Sequence, residues 1–200
     1  MIPNQLNRIA YGGGLFLVDV PSIFMNCIFE GNIAQGGGGS IAQIGQGGGM
    51  SIQFSDLEFA SAEFVNCVFR NNTSLSDIGS NGLGGTGGGL ALVSVPTLGG
   101  TATVTKLVLQ DCIFEANTAT GKSKMLPGSG AAQGGGLYIE HQPVSPSVRE
   151  FEFRIQNCSF IENVVKASMC ESVAATADGG AISAVIYSPS GLSIENSTFR

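Results

Sequence analysis

The sequence predicts one all-β domain over residues 1–200, a single-stranded parallel β-helix of about five coils with three short strands in each. Three observations carry this expectation. A seven-residue unit returns every 39 to 46 residues, a run of glycines keeps a similar period, and apolar residues between the two marks alternate with the period of two that belongs to strands. The coil marks fall near 12–32, 47–72, 87–117, 134–163 and 178–200.

The unit first reads Asn26-Cys27-Ile28-Phe29-Glu30-Gly31-Asn32 and returns as Asn66-Cys67-Val68-Phe69-Arg70-Asn71-Asn72. It continues as Asp111-Cys112-Ile113-Phe114-Glu115-Ala116-Asn117 and Asn157-Cys158-Ser159-Phe160-Ile161-Glu162-Asn163, with a fifth copy at Asn196-Ser197-Thr198-Phe199-Arg200. The glycine mark reads Gly12-Gly13-Gly14-Leu15, Gly47-Gly48-Gly49-Met50, Gly87-Gly88-Gly89-Leu90 and Gly134-Gly135-Gly136-Leu137. Asp178-Gly179-Gly180-Ala181 takes its place in the last coil, where the phase slips because Ile182 rather than Ala181 is the large residue. Such glycines fit turns that need positive φ or a close approach of backbones.

Strands fill the space between the marks. Leu107, Leu109, Cys112 and Phe114 correspond to Phe153, Ile155, Cys158 and Phe160, and to Leu192, Ile194, Ser197 and Phe199. The spacing is two, three, two, so two alternating segments flank one extra residue, the first Asn or Asp of the unit. A turn at that residue keeps both segments facing inward. Leu15/Leu17, Leu90/Leu92 and Leu137/Ile139 supply a third segment after the glycines.

In such a solenoid each strand pairs with its counterpart one coil on, roughly 4.8 Å along the axis, and equivalent residues stack. Three columns are predicted: Phe29, Phe69, Phe114, Phe160 and Phe199; Cys27, Cys67, Cys112 and Cys158; and Asn32, Asn72, Asn117 and Asn163. Each buried Phe contributes about 1.5–3 kcal/mol, and an inward Asn can serve turn backbone and the amides above and below it. The residue after each Phe reads Glu30, Arg70, Glu115, Ile161, Arg200. Stacked outside, the first three alternate in sign, worth about 0.2–1 kcal/mol per contact. The polar segments 73–86, 118–133 and 164–178 are expected to leave one edge as loops and to carry any partner contact.

Composition narrows the function. Thirty glycines, no Trp and 43% hydrophobic residues describe a chain that turns often and buries what lies between turns. Nine basic residues and a net charge of −6 argue against nucleic acid as a partner. No stretch approaches the roughly 18 apolar residues of a membrane span, and Met1 to Ala10 lacks a signal-peptide pattern. The cysteine spacing matches neither a zinc site nor a CxxC pair, so the four column cysteines read as small core residues. Cys170 stands apart as the one candidate for a reactive or intermolecular thiol, with an inert loop cysteine the favoured reading.

No catalytic, cofactor-binding or metal residue is assigned. A carbohydrate-active solenoid needs carboxylates converging from adjacent coils, yet Asp19, Asp56, Asp77, Asp111 and Asp178 share no coil position. Asp111 replaces a corner Asn, and Arg70 separates Glu30 from Glu115. His141, the single histidine, reads as solvent-exposed and opposite in face to Glu140. No Gly-Lys-Ser/Thr follows the glycines, which excludes a phosphate loop. Asn72-Thr73-Ser74 and Asn196-Ser197-Thr198 are glycosylation sequons whose first residues belong to predicted inward ladders, and Asn71-Asn72-Thr73 is the accessible one.

Phe-x-x-Asn at Phe29–Asn32, Phe69–Asn72, Phe114–Asn117 and Phe160–Asn163, paired with Gly179-Gly180-Ala181-Ile182 and its Gly-Gly-Gly-Leu variants, resembles the repeat of the chlamydial polymorphic outer-membrane proteins. The resemblance spans nearly the whole chain and implies a right-handed, pectate-lyase-like β-helix that is part of a longer solenoid. It also implies an adhesive autotransporter passenger at the cell surface, with membrane anchoring outside this segment and an unidentified surface receptor or glycan as partner. The expected function is therefore a non-enzymatic structural or adhesive segment. The alternative is part of a polysaccharide lyase or hydrolase whose catalytic coils lie elsewhere.

Overall fold

The structure is a computed structural model that describes residues 9–36, 44–55, 59–77, 84–94, 104–122, 131–141, 150–168, 176–186 and 191–200. Among these the regular elements are all strands, and every paired ladder is parallel. The chain coils as a β-helix, and each sheet gathers one strand from successive coils.

Four sheets form the walls. The first follows the glycines: Leu15–Val18, Met50–Phe54, Leu90–Ser94, Leu137–His141 and Ile182–Ile186. The second precedes the unit: Ser22–Met25, Phe59–Val65, Val104–Gln110, Glu150–Gln156 and Gly191–Glu195. The third carries the Phe: Ile28–Glu30, Val68–Arg70, Ile113–Glu115, Ser159–Ile161 and Thr198–Phe199. The fourth follows the second Asn: Ile33–Gly36, Thr73–Asp77, Thr118–Lys122 and Val164–Ser168. A narrow column ahead of the glycines completes each coil, with Ala10–Tyr11 paired to Gly45–Gln46 and Ala131–Gln133 to Thr176–Asp178, and Thr86 bridging Gln46 to Gln133.

Each coil thus has a fourth wall beyond the expected three. It comes from segments expected to be loops. The first five residues of 73–86, 118–133 and 164–178 are strands in register, Thr73 opposite Thr118 and Thr118 opposite Val164. Polarity misled here because the inward residues are small: Ala34, Ser74 and Ala119 are buried in register with one another. The stretches 78–83, 123–130 and 169–175, with Cys170, lie outside the described residues.

The corners explain the repeat. Asn26, Asn66, Asp111, Asn157 and Asn196 all have φ between 50° and 56°, the left-handed turn predicted for the extra residue of the unit. Asn and Asp enter this region more readily than other non-glycine residues. A second left-handed corner falls at Gly31, Asn71, Ala116 and Glu162, where no common residue type announces it. The third lies at the first glycine of each mark, Gly87 at φ 60° for example. The middle glycine is required by proximity: a Cβ on Gly88 would stand 2.3 Å from the carbonyl oxygen of Gly135.

In the last coil the mark reads Gly179-Gly180-Ala181-Ile182, which corrects the phase expected from Asp178-Gly179-Gly180-Ala181. Gly135 N–H donates to Gly179 and Leu137 N–H to Ala181, and Ile182 lies opposite Leu137. One continuous core fills the coil, built on Phe64, Phe69, Phe114, Phe153 and Phe160 with Leu90, Leu92, Leu107, Leu109 and Leu137. His141 corrects the expectation of an exposed histidine. It is 1% exposed, because it shares the inward phase of Leu137 and Ile139 and lies in register between Ser94 and Ile186. The outer face of the same sheet holds a second apolar cluster of Ala91, Val93 and Tyr138.

Candidate functional site

The repeated residues converge inside the solenoid. Successive rings of Phe29, Phe69, Phe114, Phe160 and Phe199 stack at 4.8–5.1 Å between centroids with planes within 10° of parallel. That separation is the interstrand spacing, so the sheet dictates the stack. Phe24 and Phe64 form a parallel pair beside it at 5.0 Å, edge-on to Phe29 and Phe69.

In the asparagine column the Oδ1 of Asn117 accepts from both the backbone N–H and the Nδ2 of Asn72, at 3.1 and 3.0 Å. Its own Nδ2 donates to Phe69 O at 2.8 Å and to Asn163 Oδ1 at 2.9 Å. Both of its amide protons and two acceptor directions are used, which is why a fully buried carboxamide is tolerated. Asn72 repeats the pattern toward Asn32 and Phe29.

Cys27, Cys67, Cys112 and Cys158 are free thiols in one column, each donating to the carbonyl two residues back, as Cys112 does to Gln110 at 3.2 Å. Ser197 makes the same bond to Glu195. Burial pushes the Cys67 thiol up from its ordinary range. Cys112 is held far higher by the S–H contact with Cys158 and then by burial. Cys67 and Cys112 are therefore protonated core groups and poor nucleophiles, whereas the same contact with Cys112 lowers the Cys158 thiol.

Outside, Arg70 donates to Glu30 at 2.8 Å and holds that carboxylate below its usual range, while Glu115 adds to the field on Arg70. Both partners are substantially exposed, so the pair contributes little to stability. Lys106–Glu152 and Arg154–Glu195 are further pairs between adjacent coils. The aspartates stay apart. Asp19 accepts from the N–H and hydroxyl of Ser55, Asp111 accepts from Asn157 at a corner, and Asp178 is exposed. Asp56 and the side chain of Asp77 lie outside the described residues. Among the described residues no three His, Cys, Asp or Glu side chains gather as a metal site.

The sequons divide by burial. Asn72 is fully buried in its ladder, whereas Asn71 is exposed at a corner. Asn196 is exposed as well, which corrects its placement in an inward ladder: it is a corner residue one position before the inward phase begins.

One concave feature escaped the sequence reading. On the outer side of the glycine corner the narrow column and the first sheet meet at an angle, and a cleft of about 260 Å³ opens across the first three coils. Gln53 Nε2 donates to Gln46 Oε1 at 3.1 Å across the corner, and Tyr11 stacks on Phe16 at 4.6 Å one coil earlier. The signal was present as two outward positions flanking each glycine run, but their identities change from coil to coil and no repeat marks them. Comparison with protein families, with curated proteins and with solved structures returns no match.

Proposed function

We propose that this chain is a structural or adhesive segment of a surface-exposed β-helix and that it works by presenting surface, with no catalysis of its own. One observation carries the reading: the strongly repeated Phe, Cys, Asn and Gly residues are spent on stacking the coils, and the described carboxylates stay dispersed or paired with neighbours. The Phe-x-x-Asn and Gly-Gly-Ala-Ile marks, which resemble those of the chlamydial polymorphic outer-membrane proteins, support an adhesive passenger at the cell surface. Specific contact with a receptor or glycan falls to the non-repeating sequence 78–83, 123–130 and 169–175. A right-handed sense agrees with the strong preference of parallel crossovers.

The test is binding of the fluorescently labelled chain to cultured animal cells, measured by flow cytometry. Saturable binding that is lost when residues 123–130 are replaced by a glycine-serine linker supports the proposal. Absence of binding by the intact chain overturns it. The alternative, part of a carbohydrate-active solenoid, predicts turnover in a polysaccharide-cleavage screen run with and without Ca²⁺.

A further inference from the structure

The outer cleft at the glycine corner lies outside the segments assigned to adhesion, and its chemistry is specific. Its polar lining is Tyr11, Gln46, Gln53 and Ser55, its apolar lining includes Ile44 and Val93, and no charged side chain stands among the described lining residues. A neutral ligand is therefore favoured. The volume of about 260 Å³ falls just below the range of drug-sized pockets, the size of one or two small rings.

The two carboxamides share one hydrogen bond, which leaves the Gln46 amino group and the Gln53 oxygen with capacity to spare. A donor and an acceptor side by side complement two vicinal hydroxyls, each of which both donates and accepts. Tyr11 lines the cleft with its ring held against Phe16, planes 10° apart, which fixes the position of its phenol. The Asp19 carboxylate clamps Ser55 at the other end, bonding both its N–H and its hydroxyl.

We propose that this cleft is a binding site for a neutral saccharide, one or two pyranose rings lying along the groove with Tyr11 and the Gln46–Gln53 pair in its wall. The site does not depend on the adhesive reading, because none of its residues belongs to 78–83, 123–130 or 169–175.

Saturation-transfer difference NMR on the 200-residue chain tests it, with methyl glycosides of glucose, galactose, mannose and N-acetylglucosamine and their β-linked disaccharides as probes. At least one probe is expected to show saturable millimolar binding. Gln53→Leu, which removes the amide pair, and Val93→Trp, which fills the cleft, should each weaken binding about tenfold or more, the size of one good hydrogen bond. Circular dichroism melts show which variants remain folded; Gln53 is partly exposed, so Gln53→Leu is the variant that keeps the test sound if Val93→Trp unfolds. No transfer to any probe, or binding unchanged in folded Gln53→Leu, overturns the proposal. Because the probes are free sugars and the readout is direct, this result stands whether or not the chain adheres to cells.

Discussion

At the scale of single residues, the interior columns make sharp demands. Phe114 is fully buried between Phe69 and Phe160, each 4.8 Å away. Phe114→Ala leaves a ring-sized void that sheet geometry prevents from closing, and should cost about 3–5 kcal/mol in a denaturant melt; an unchanged midpoint would contradict the column. The thiols give a pH signature. Cys67 and Cys112 both have folded pKa values raised above the ordinary thiol value, by burial and, for Cys112, first by contact with Cys158. Stability from a raised thiol is complete below its unfolded pKa, about 8.5, and is lost as pH rises toward the folded value. Cys158 is lowered by that same contact and offsets Cys112, so melts in reductant between about pH 7 and 10 should show stability falling above about pH 8.5 by up to about 1.4 kcal/mol per pH unit, the share of the Cys67 thiol. A flat profile would mean that the thiols ionise in place.

At the scale of elements, the corners decide what each coil tolerates. Gly88→Ala places a Cβ 2.3 Å from a backbone oxygen of the next coil, and that oxygen belongs to a ladder that cannot yield locally. Gly31, unlike Gly88, has a positive φ of 66°, yet an added Cβ there meets nothing within 4 Å, and its counterpart Asn71 already carries a side chain. Gly31→Asn should melt close to the parent, while Gly88→Ala should lose the cooperative transition; equal effects would refute the distinction between crowding and φ. The same contrast explains what could be read in advance. Corners built on a required residue type, such as Asn66 and Gly47, announced themselves, whereas the corner shared by Gly31, Asn71, Ala116 and Glu162 did not. The fourth wall was hidden for a related reason. Its inward residues, Ala34, Ser74 and Ala119, are small and partly polar because they pack against neighbouring backbone at close range, so hydropathy alternation is faint there.

At the scale of the whole molecule, repetition made the fold legible and left the surface obscure. A ladder residue is tested by its counterparts on either side, so the Phe and Asn columns carry their structural meaning in their spacing. An outward residue such as Gln53, opposite Val18 on one side and Val93 on the other, has no such witness. His141 shows the intermediate case: its phase was determined by Leu137 and Ile139, but polarity argued for the opposite face. The asparagine column adds a property of another kind. In every link the nitrogen of one carboxamide points to the oxygen of the next, from Asn32 through Asn72 and Asn117 to Asn163. The column is a one-way wire of aligned dipoles, and a coil offered upside down would meet nitrogen with nitrogen. The buried amides thus act as a compass for assembly, admitting each new coil in a single orientation.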